Sequence, residues 1–242
     1  MNELDELRKE LKKCSSPAKA ALLARFFKTG KGEYAEGDKF LGVVVPDERR
    51  IAKRYRDLPQ QDVLELLHSP WHEERMIALF ILTDQYQRGD TKVRKAIYEL
   101  YLKNTKHINN WDLVDLSAKY IIGEQIASGV VDEKVLFALA KSRSLWERRI
   151  AVLATFYSIA KGDARLALAV AEVLVNDPHD LIHKAVGWML REVGKRCSVA
   201  EEEAFLDRHA ATMPRTMLRY SLEHFPPQRK EYYMSQRAKL TK

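Results

Sequence analysis

Apolar side chains recur through this sequence with a period close to 3.6 residues, and that period leaves little room for any fold but a helical one. Residues 71–87 show it best, because Ile77, Phe80 and Ile81 recur at helical spacing. Alternating apolar and polar runs, which indicate half-buried strands, have no useful length except around Leu41–Val45. The sequence therefore predicts an all-α fold.

The same spacing recurs in segments that prolines and glycines separate. Residues such as Pro70, Gly89 and Pro178 stand between the periodic runs and interrupt them, because neither residue type continues a helix well. The segments predicted as helices are Val93–Leu102, Val135–Ala140, Ile150–Ala160, Leu166–Val175 and Leu181–Val193. The chain is thus expected to be a series of short helices joined by turns.

A weak internal repeat indicates how these helices are arranged. Three helical segments carry a cation followed by small and apolar residues, at Arg75, Arg149 and Lys184. Their offsets of 74 and 35 residues are close to two units and one unit of a helix-pair repeat. We therefore predict one HEAT-like repeat domain over residues 1–242, a curved superhelical solenoid whose concave face carries the cations. The alternative is a set of unrelated amphipathic helices, each with its cation on the solvent-exposed face.

Composition narrows the class of partner and the compartment. The 41 Lys and Arg residues exceed the 34 Asp and Glu residues, and the net charge of +7 fits nucleic acid or an acidic protein better than a membrane. No apolar run approaches the ~18 residues of a membrane span. Cys14 and Cys197 match no zinc or disulfide pattern, and the N-terminal residues do not resemble a signal peptide. We expect a cytoplasmic protein.

The segment from Asn110 to Asp115 is the most informative for chemistry. Asn110 is a plausible N-cap, and Asp112 then lies in the first turn, where the helix dipole favours an anion. Asp115 has no such explanation, and it shares a helix face with Trp111 at i, i+4. An aromatic plane beside a carboxylate suits a cation or a sugar. The alternative is a tryptophan at the edge of the core and an aspartate in a salt bridge.

Two further pairs join a tryptophan to a cation. Trp146 and Arg149 are separated by three residues, and Lys184 and Trp188 by four, so each pair shares one helix face. Gly187 costs its helix about 1 kcal/mol relative to Ala, which is explained if another backbone approaches closely or if Trp188 needs the room. Packing of an arginine stem and of two helices would account for the same residues without any function.

Several patterns that could indicate other activities are incomplete. His179 and His183 have metal-ligand spacing, but no third ligand accompanies them, so we predict no metal site. The glycine-rich stretch Thr29–Phe40 lacks the Lys-Ser/Thr end of a nucleotide-binding loop, and we predict an inter-helix loop there. No small-molecule cofactor is expected.

Four motifs in a fixed order resemble the AlkD-like group of DNA alkylation repair enzymes. They are Leu41-Gly-Val to Pro46, Trp111-Asp-Leu-Val-Asp115, Trp146-Glu-Arg-Arg149 and Lys184-Ala-Val-Gly-Trp188. Each motif alone is common, but their order and spacing are specific, and the similarity extends from about Ala18 to Phe225. The resemblance implies a HEAT-like solenoid that wraps duplex DNA on its concave face. It also implies a DNA glycosylase that removes positively charged N3- and N7-alkylated purines in base excision repair.

The resemblance assigns roles to particular residues. Asp115 corresponds to the catalytic aspartate, Trp111 and Trp188 to aromatic residues that flank the lesion, and Arg149 to an arginine that holds a phosphate. Phe26 stands where well-known members have a tyrosine, so an aromatic face is kept and a hydroxyl is lost. The residues expected to contact the DNA are Phe26, Lys28, Arg148, Lys184, Arg215 and Arg219, with Arg229 and Lys230 as further candidates.

The implied reaction is chemically consistent with these residues. An alkylated purine that already carries positive charge leaves without a general acid, and one carboxylate can stabilise the oxocarbenium-like sugar that develops. The expected partner is double-stranded DNA containing alkylated purines, bound by a monomer through its phosphates with little sequence preference. Two alternatives remain open: a non-catalytic binder of damaged or branched DNA, and a HEAT-type protein-interaction scaffold.

Overall fold

The computed structural model describes residues 2–239, and side chains up to residue 236, and within them the fold is all-α. No strand occurs in this part of the chain, where a single isolated bridge joins Lys39 to Trp71. The all-α prediction is therefore confirmed. Among the helices of residues 2–239, none is long and apolar enough to cross a membrane.

The chain divides into two compact units, the first of which runs to Ser117. A 3-10 turn at Thr105–His107 precedes the last helix of this unit. Its helices are α1 (Glu3–Lys13), α2 (Pro17–Phe26), α3 (Val45–Arg54), α4 (Gln60–Leu67), α5 (His72–Arg88), α6 (Thr91–Lys103) and α7 (Trp111–Ala118).

The second unit begins at Ala118 and opens with a π-helical turn, Lys119–Gly123. A 3-10 turn at Leu222–His224 precedes its last helix. Its helices are α8 (Glu124–Ala127), α9 (Lys134–Ala140), α10 (Leu145–Ala154), α11 (Phe156–Ala160), α12 (Arg165–Leu174), α13 (Asp180–Arg196), α14 (Val199–His209), α15 (Arg215–Ser221) and α16 (Pro227–Lys239). The prediction of a single HEAT-like solenoid domain stays a prediction.

Local sequence explains where several of these helices begin. The side chains of Asn2, Ser16 and Asp90 each accept a hydrogen bond from a backbone N–H three residues on, and so cap α1, α2 and α6. Ser144 and Ser198 cap α10 and α14 in the same way. These caps satisfy amides that would otherwise lack a partner at the helix ends.

Helix α5 is the central helix of the first unit. The first eight residues of this helix, from His72 to Leu79, are all buried. The first four of them have polar or charged side chains. The predicted helical spacing is confirmed, since Ile77 and Ile81 are fully buried and Phe80 is half-buried. The expectation that Arg75 points to a charged surface is wrong, because this side chain is only 4% exposed and binds Asp38.

Helix α13 has the same role in the second unit, where it packs against α10, α14 and α15. Gly187 lies where α13 meets α15, and a Cβ atom placed on it would be 2.4 Å from the carbonyl oxygen of Met217. The explanation by close approach of another backbone is therefore confirmed.

Two sequence expectations about local structure are corrected. The helix predicted over Ile150–Ala160 is divided at Thr155, whose hydroxyl donates to the carbonyl of Val152 at 2.6 Å and so competes with the helical pattern. The strand-like stretch Leu41–Val45 is irregular backbone up to Val44, and Val45 begins α3. Its amide groups bind a side chain rather than another strand, as described below.

The substitution Gly187→Ala tests this packing. Alanine favours a helix over glycine by about 1 kcal/mol, but overpacking against the Met217 carbonyl should cost more. We expect a net loss of about 1–2 kcal/mol in the free energy of unfolding, measured by urea denaturation. The control is Gly30→Ala, where a Cβ meets only the flexible end of Glu33. A Gly187→Ala protein more stable than the wild type would contradict this packing.

Candidate active site

Trp111 and Asp115 both lie on α7, one turn apart. Helix α7 begins at Trp111. The side-chain oxygen of the buried Asn110 accepts a hydrogen bond from the Trp111 amide at 2.8 Å. Asn110 therefore lies at the N-terminus of the helix, close to the capping role predicted for it. Trp111 is half-buried and stacks on Phe27, with ring centroids 5.3 Å apart. The structure also brings Phe26 to it, at 6.1 Å and nearly edge-on.

Phe26 is the most exposed member of this aromatic group. It ends α2, and 63% of its surface is exposed, although its ring contacts Phe27 and Trp111. Lys28, two residues further on, is also exposed and has a positive φ of 55° that turns the chain into the glycine-rich loop. Two sequence-predicted residues, Phe26 and Trp111, are thus adjacent, and Lys28 follows Phe26 by two residues in the chain.

Asp115 lies on a helix that side-chain hydrogen bonds near its C-terminal end hold in place. Asp115 is half-buried, between the buried Leu113 and Ser117. The Ser117 hydroxyl donates to the Leu113 carbonyl at 2.6 Å and lies 2.9 Å from the Tyr101 hydroxyl. Burial raises the pKa of Tyr101, and the negative charge of Asp115 raises it further. These contacts hold α7 against α6 within the first unit.

A buried network that the sequence did not reveal holds the start of α7. His72, which is 2% exposed, lies between two carboxylates: its Nε2 is 2.8 Å from Asp112 and its Nδ1 is 3.4 Å from Asp38. Arg75 donates to Asp38 at 2.6 Å, and the Asn110 amide donates to the same carboxylate at 3.3 Å. Asp112 was expected only as a first-turn anion, and the structure gives it this additional partner.

The electrostatics of this network favour a charged histidine. Burial alone would lower the pKa of His72, but the carboxylates of Asp112 and Asp38 outweigh burial and raise that pKa to about 9. Burial alone would likewise raise the pKa of Asp38, but its hydrogen bond to His72 and the charge of Arg75 hold that pKa below its usual range. The imidazole ring is also stacked on Phe40, with centroids 4.7 Å apart.

Glu73, the next residue on α5, fixes the segment before α3. Its carboxylate accepts hydrogen bonds from the amides of Leu41, Gly42 and Val43, at 2.8–3.3 Å. Gly42 has a φ of 80°, and a Cβ on it would lie 2.1 Å from the Ser16 carbonyl oxygen. The Leu41-Gly-Val motif is therefore required by backbone geometry and by one buried carboxylate.

The glycine-rich loop is an inter-helix loop between α2 and α3, as predicted. The amide of Gly30 donates to Glu33 at 2.8 Å, and that of Gly32 donates to Glu36 at 2.9 Å. These amides bind the loop's own carboxylates rather than presenting themselves to a phosphate. The end of the loop packs inward, because Ala35 and Phe40 form a buried cluster with Phe27.

In the second unit, α10 carries both predicted arginines. Arg149 is 5% exposed and donates to the Leu181 carbonyl at 2.7 Å, near the start of α13. Arg148 is half-buried, forms an ion pair with Asp177 at 2.7 Å and donates to the Ser142 carbonyl at 3.1 Å. Both guanidinium groups thus organise loops within this unit, and their contact with DNA stays a prediction.

The remaining predicted residues of this unit lie on α13 and α15. Trp188 is half-buried and lies 6.1 Å from the Phe156 ring, whereas Lys184 pairs with Asp180 at 2.8 Å. Arg219 is exposed, and Arg215, also exposed, donates to the Met234 carbonyl. The two further candidates, on α16, bind acidic or carbonyl groups of the same unit: Arg229 pairs with Glu203 and Lys230 donates to the Glu223 carbonyl.

A comparison with protein families covers both units of the chain. The model of the DNA alkylation repair enzyme family matches residues 7–225, which is most of the chain. The chain belongs to this family. Membership supports a role in DNA repair, with DNA as the substrate.

A solved structure agrees with the family at the level of the fold. The chain is similar to a predicted DNA alkylation repair enzyme from Enterococcus faecalis, with a TM-score of 0.67 and 18% sequence identity. The similarity covers 88% of this chain and 97% of that one. Among curated protein sequences, none matches. At 18% sequence identity, this similarity shows that the two proteins share a fold.

The two histidines with metal-ligand spacing, His179 and His183, form hydrogen bonds with backbone groups. His179 Nδ1 accepts the Leu181 amide at 3.1 Å, and His183 Nε2 is bonded to the Asp177 carbonyl. Across residues 2–239, no group of three or more His, Cys, Asp or Glu side chains is placed to hold a metal ion.

The charge of His72 makes a pH-dependent contribution to stability. Its folded pKa of about 9 exceeds the usual value near 6.5, so the contribution is complete below pH ~6.5 and is lost as the pH rises through 9. We expect His72→Gln to lower the free energy of unfolding by about 3 kcal/mol at pH 6. The difference from the wild type should shrink toward pH 10 in urea unfolding. A difference that stays constant over this range would show that His72 is not charged in the fold.

Proposed function

We propose that this protein is an alkylpurine DNA glycosylase, which hydrolyses the N-glycosidic bond of cationic N3- and N7-alkylpurines in duplex DNA. The observation that carries the proposal is the pairing of Asp115 with Trp111 on one face of α7, in a chain that belongs to the DNA alkylation repair family. The half-buried position of both residues supports it, because a partly desolvated carboxylate interacts more strongly with a developing cation.

In the proposed reaction, Asp115 is the catalytic residue. The base leaves as a neutral purine because it already carries positive charge, and positive charge develops on the sugar. The Asp115 carboxylate stabilises that charge and orients the attacking water. At ~4 Å and an effective dielectric constant of ~20, such an interaction is about 4 kcal/mol, roughly a thousandfold in rate if it acts only in the transition state.

The aromatic and basic residues position the DNA in this proposal. Trp111 and Trp188 offer their π faces to the cationic sugar or base. The phosphates are held by Lys28, Arg148, Arg149, Lys184, Arg215 and Arg219. Phe26, beside Trp111, supplies an aromatic surface but no hydroxyl for a phosphate. The protein is proposed to act as a monomer, as one HEAT-like solenoid, without metal or cofactor.

The test is release of 7-methylguanine and 3-methyladenine from methylated duplex DNA in the absence of metal. We expect release above the spontaneous rate, and a fall of about a thousandfold in the single-turnover rate with Asp115→Asn. The matched control is Asp90→Asn, because asparagine also caps a helix well and Asp90 caps α6. Asp90→Asn should release bases at the wild-type rate.

Three other outcomes would change the proposal. Release by Asp115→Asn at the wild-type rate would remove Asp115 from the reaction. No release by the wild type, with DNA binding that weakens steeply as salt increases, would favour the non-catalytic binder of damaged or branched DNA. DNA affinity without steep salt dependence would favour a protein-interaction scaffold.

A further inference from the structure

The first unit contains a pocket of about 350 Å³ beside Trp111. This volume lies within the ~300–1,000 Å³ that small-molecule sites occupy. Aromatic rings form much of its wall, from Phe26, Phe27, Phe40, Phe80 and Trp111. The proposed reaction uses Phe26 and Trp111, at the edge of this pocket, but gives its other side chains no role.

The rings of the wall favour a flat ligand. Phe27 is almost parallel to Phe40, with 12° between the ring planes, and it is inclined by 28° to Trp111. Rings in this arrangement form a continuous stack, and a planar aromatic ligand extends it by offset stacking. An aliphatic chain would fill the same volume without using these planes.

One carboxyl oxygen at the pocket wall has no hydrogen-bond partner among the described residues. Glu48, on α3, is 3% exposed, and its Oε2 forms no hydrogen bond with any described residue. The other carboxylates at the pocket are engaged, since Glu73 binds the amides of residues 41–43 and Asp112 binds His72. A buried polar atom without a partner is costly to the fold, so its retention at a pocket indicates a ligand.

The protonation state of Glu48 indicates which hydrogen-bonding groups the ligand needs at its edge. Burial, together with the charge of Glu73, raises the pKa of Glu48 to about 8, so the carboxyl keeps its proton at neutral pH. A neutral carboxyl donates through its O–H and accepts through its carbonyl oxygen. Its complement is a flat heterocycle with a donor and an acceptor on adjacent atoms. Purine bases present such edges.

We propose that this pocket binds a free purine base, with Glu48 paired to its hydrogen-bonding edge and the aromatic rings of the pocket wall packed against it. The choice of a purine rests on the proposed function, because a glycosylase that acts on alkylpurines releases such a base. Glu48 is then a specificity-determining residue for the product and has no part in bond cleavage. Stacking plus edge recognition is the usual way in which proteins recognise an isolated base.

The test is isothermal titration of the full-length protein with adenine and with 3-methyladenine. Three variants accompany the wild type: Glu48→Gln, Glu48→Met and Glu202→Met. Glutamine keeps a donor and an acceptor, so Glu48→Gln should bind like the wild type. Methionine has the length of glutamate but neither group, so Glu48→Met should bind about tenfold more weakly, as expected for the loss of an ordinary buried hydrogen bond.

Glu202→Met is the matched control, because Glu202 is also a buried carboxyl whose oxygens form no hydrogen bond, although His224 Nε2 lies 3.2 Å from one of them, and it lies in the second unit. It should leave purine affinity unchanged. Thermal unfolding distinguishes a binding defect from misfolding: Glu48→Met removes an unpaired buried oxygen and should have a melting temperature at or above that of the wild type. A protein that binds neither purine, or a Glu48→Met variant with wild-type affinity, would overturn the proposal.

The outcome is separable from that of the proposed function. Base release from methylated DNA without affinity for free purines would overturn the pocket assignment and leave the glycosylase intact. Purine binding that depends on Glu48, without any base release, would support the pocket and overturn the glycosylase.

Discussion

The first unit depends on one buried charge, the imidazolium of His72. Two carboxylates from distant parts of the chain converge on it, Asp38 from the glycine-rich loop and Asp112 from the first turn of α7. Arg75 neutralises the second negative charge, so the group is close to balanced inside the protein. A buried charge is tolerated only when it is paired in this way, and removal of any partner would leave another uncompensated. The network therefore fixes the loop and α7 together against α5.

The candidate site follows from that arrangement. Because α7 is held at its first turn, Trp111 packs against Phe27 while Asp115 remains half-buried one turn later. The loop that supplies Asp38 also supplies Phe40, which stacks on His72 and lines the purine pocket proposed above. One electrostatic network thus supports both the face proposed for catalysis and the pocket proposed for the product.

Sequence reasoning predicted the helices and a few local details because those depend on neighbours along the chain. Periodicity located α5, α6, α12 and α13, and the glycine at position 187 signalled a close helix contact that the structure confirms. The placement of Phe26 beside Trp111 could be anticipated only from the family resemblance. The His72 network was missed, since its partners are 34 and 40 residues away. Its one visible signal is the run of polar residues from His72 to Arg75 directly before the apolar run from Met76 to Leu82.

Hydrogen exchange across pH tests this account most directly. The protection factors of the α7 amides, from Val114 to Ser117, are compared with those of α13 between pH 7 and pH 10. If the charge of His72 holds α7, protection in α7 falls selectively as His72 loses its proton near pH 9, while protection in α13 stays constant. Protection in α7 that is unchanged up to pH 10, or that falls in parallel with α13, would contradict the claim that this buried charge positions the candidate site.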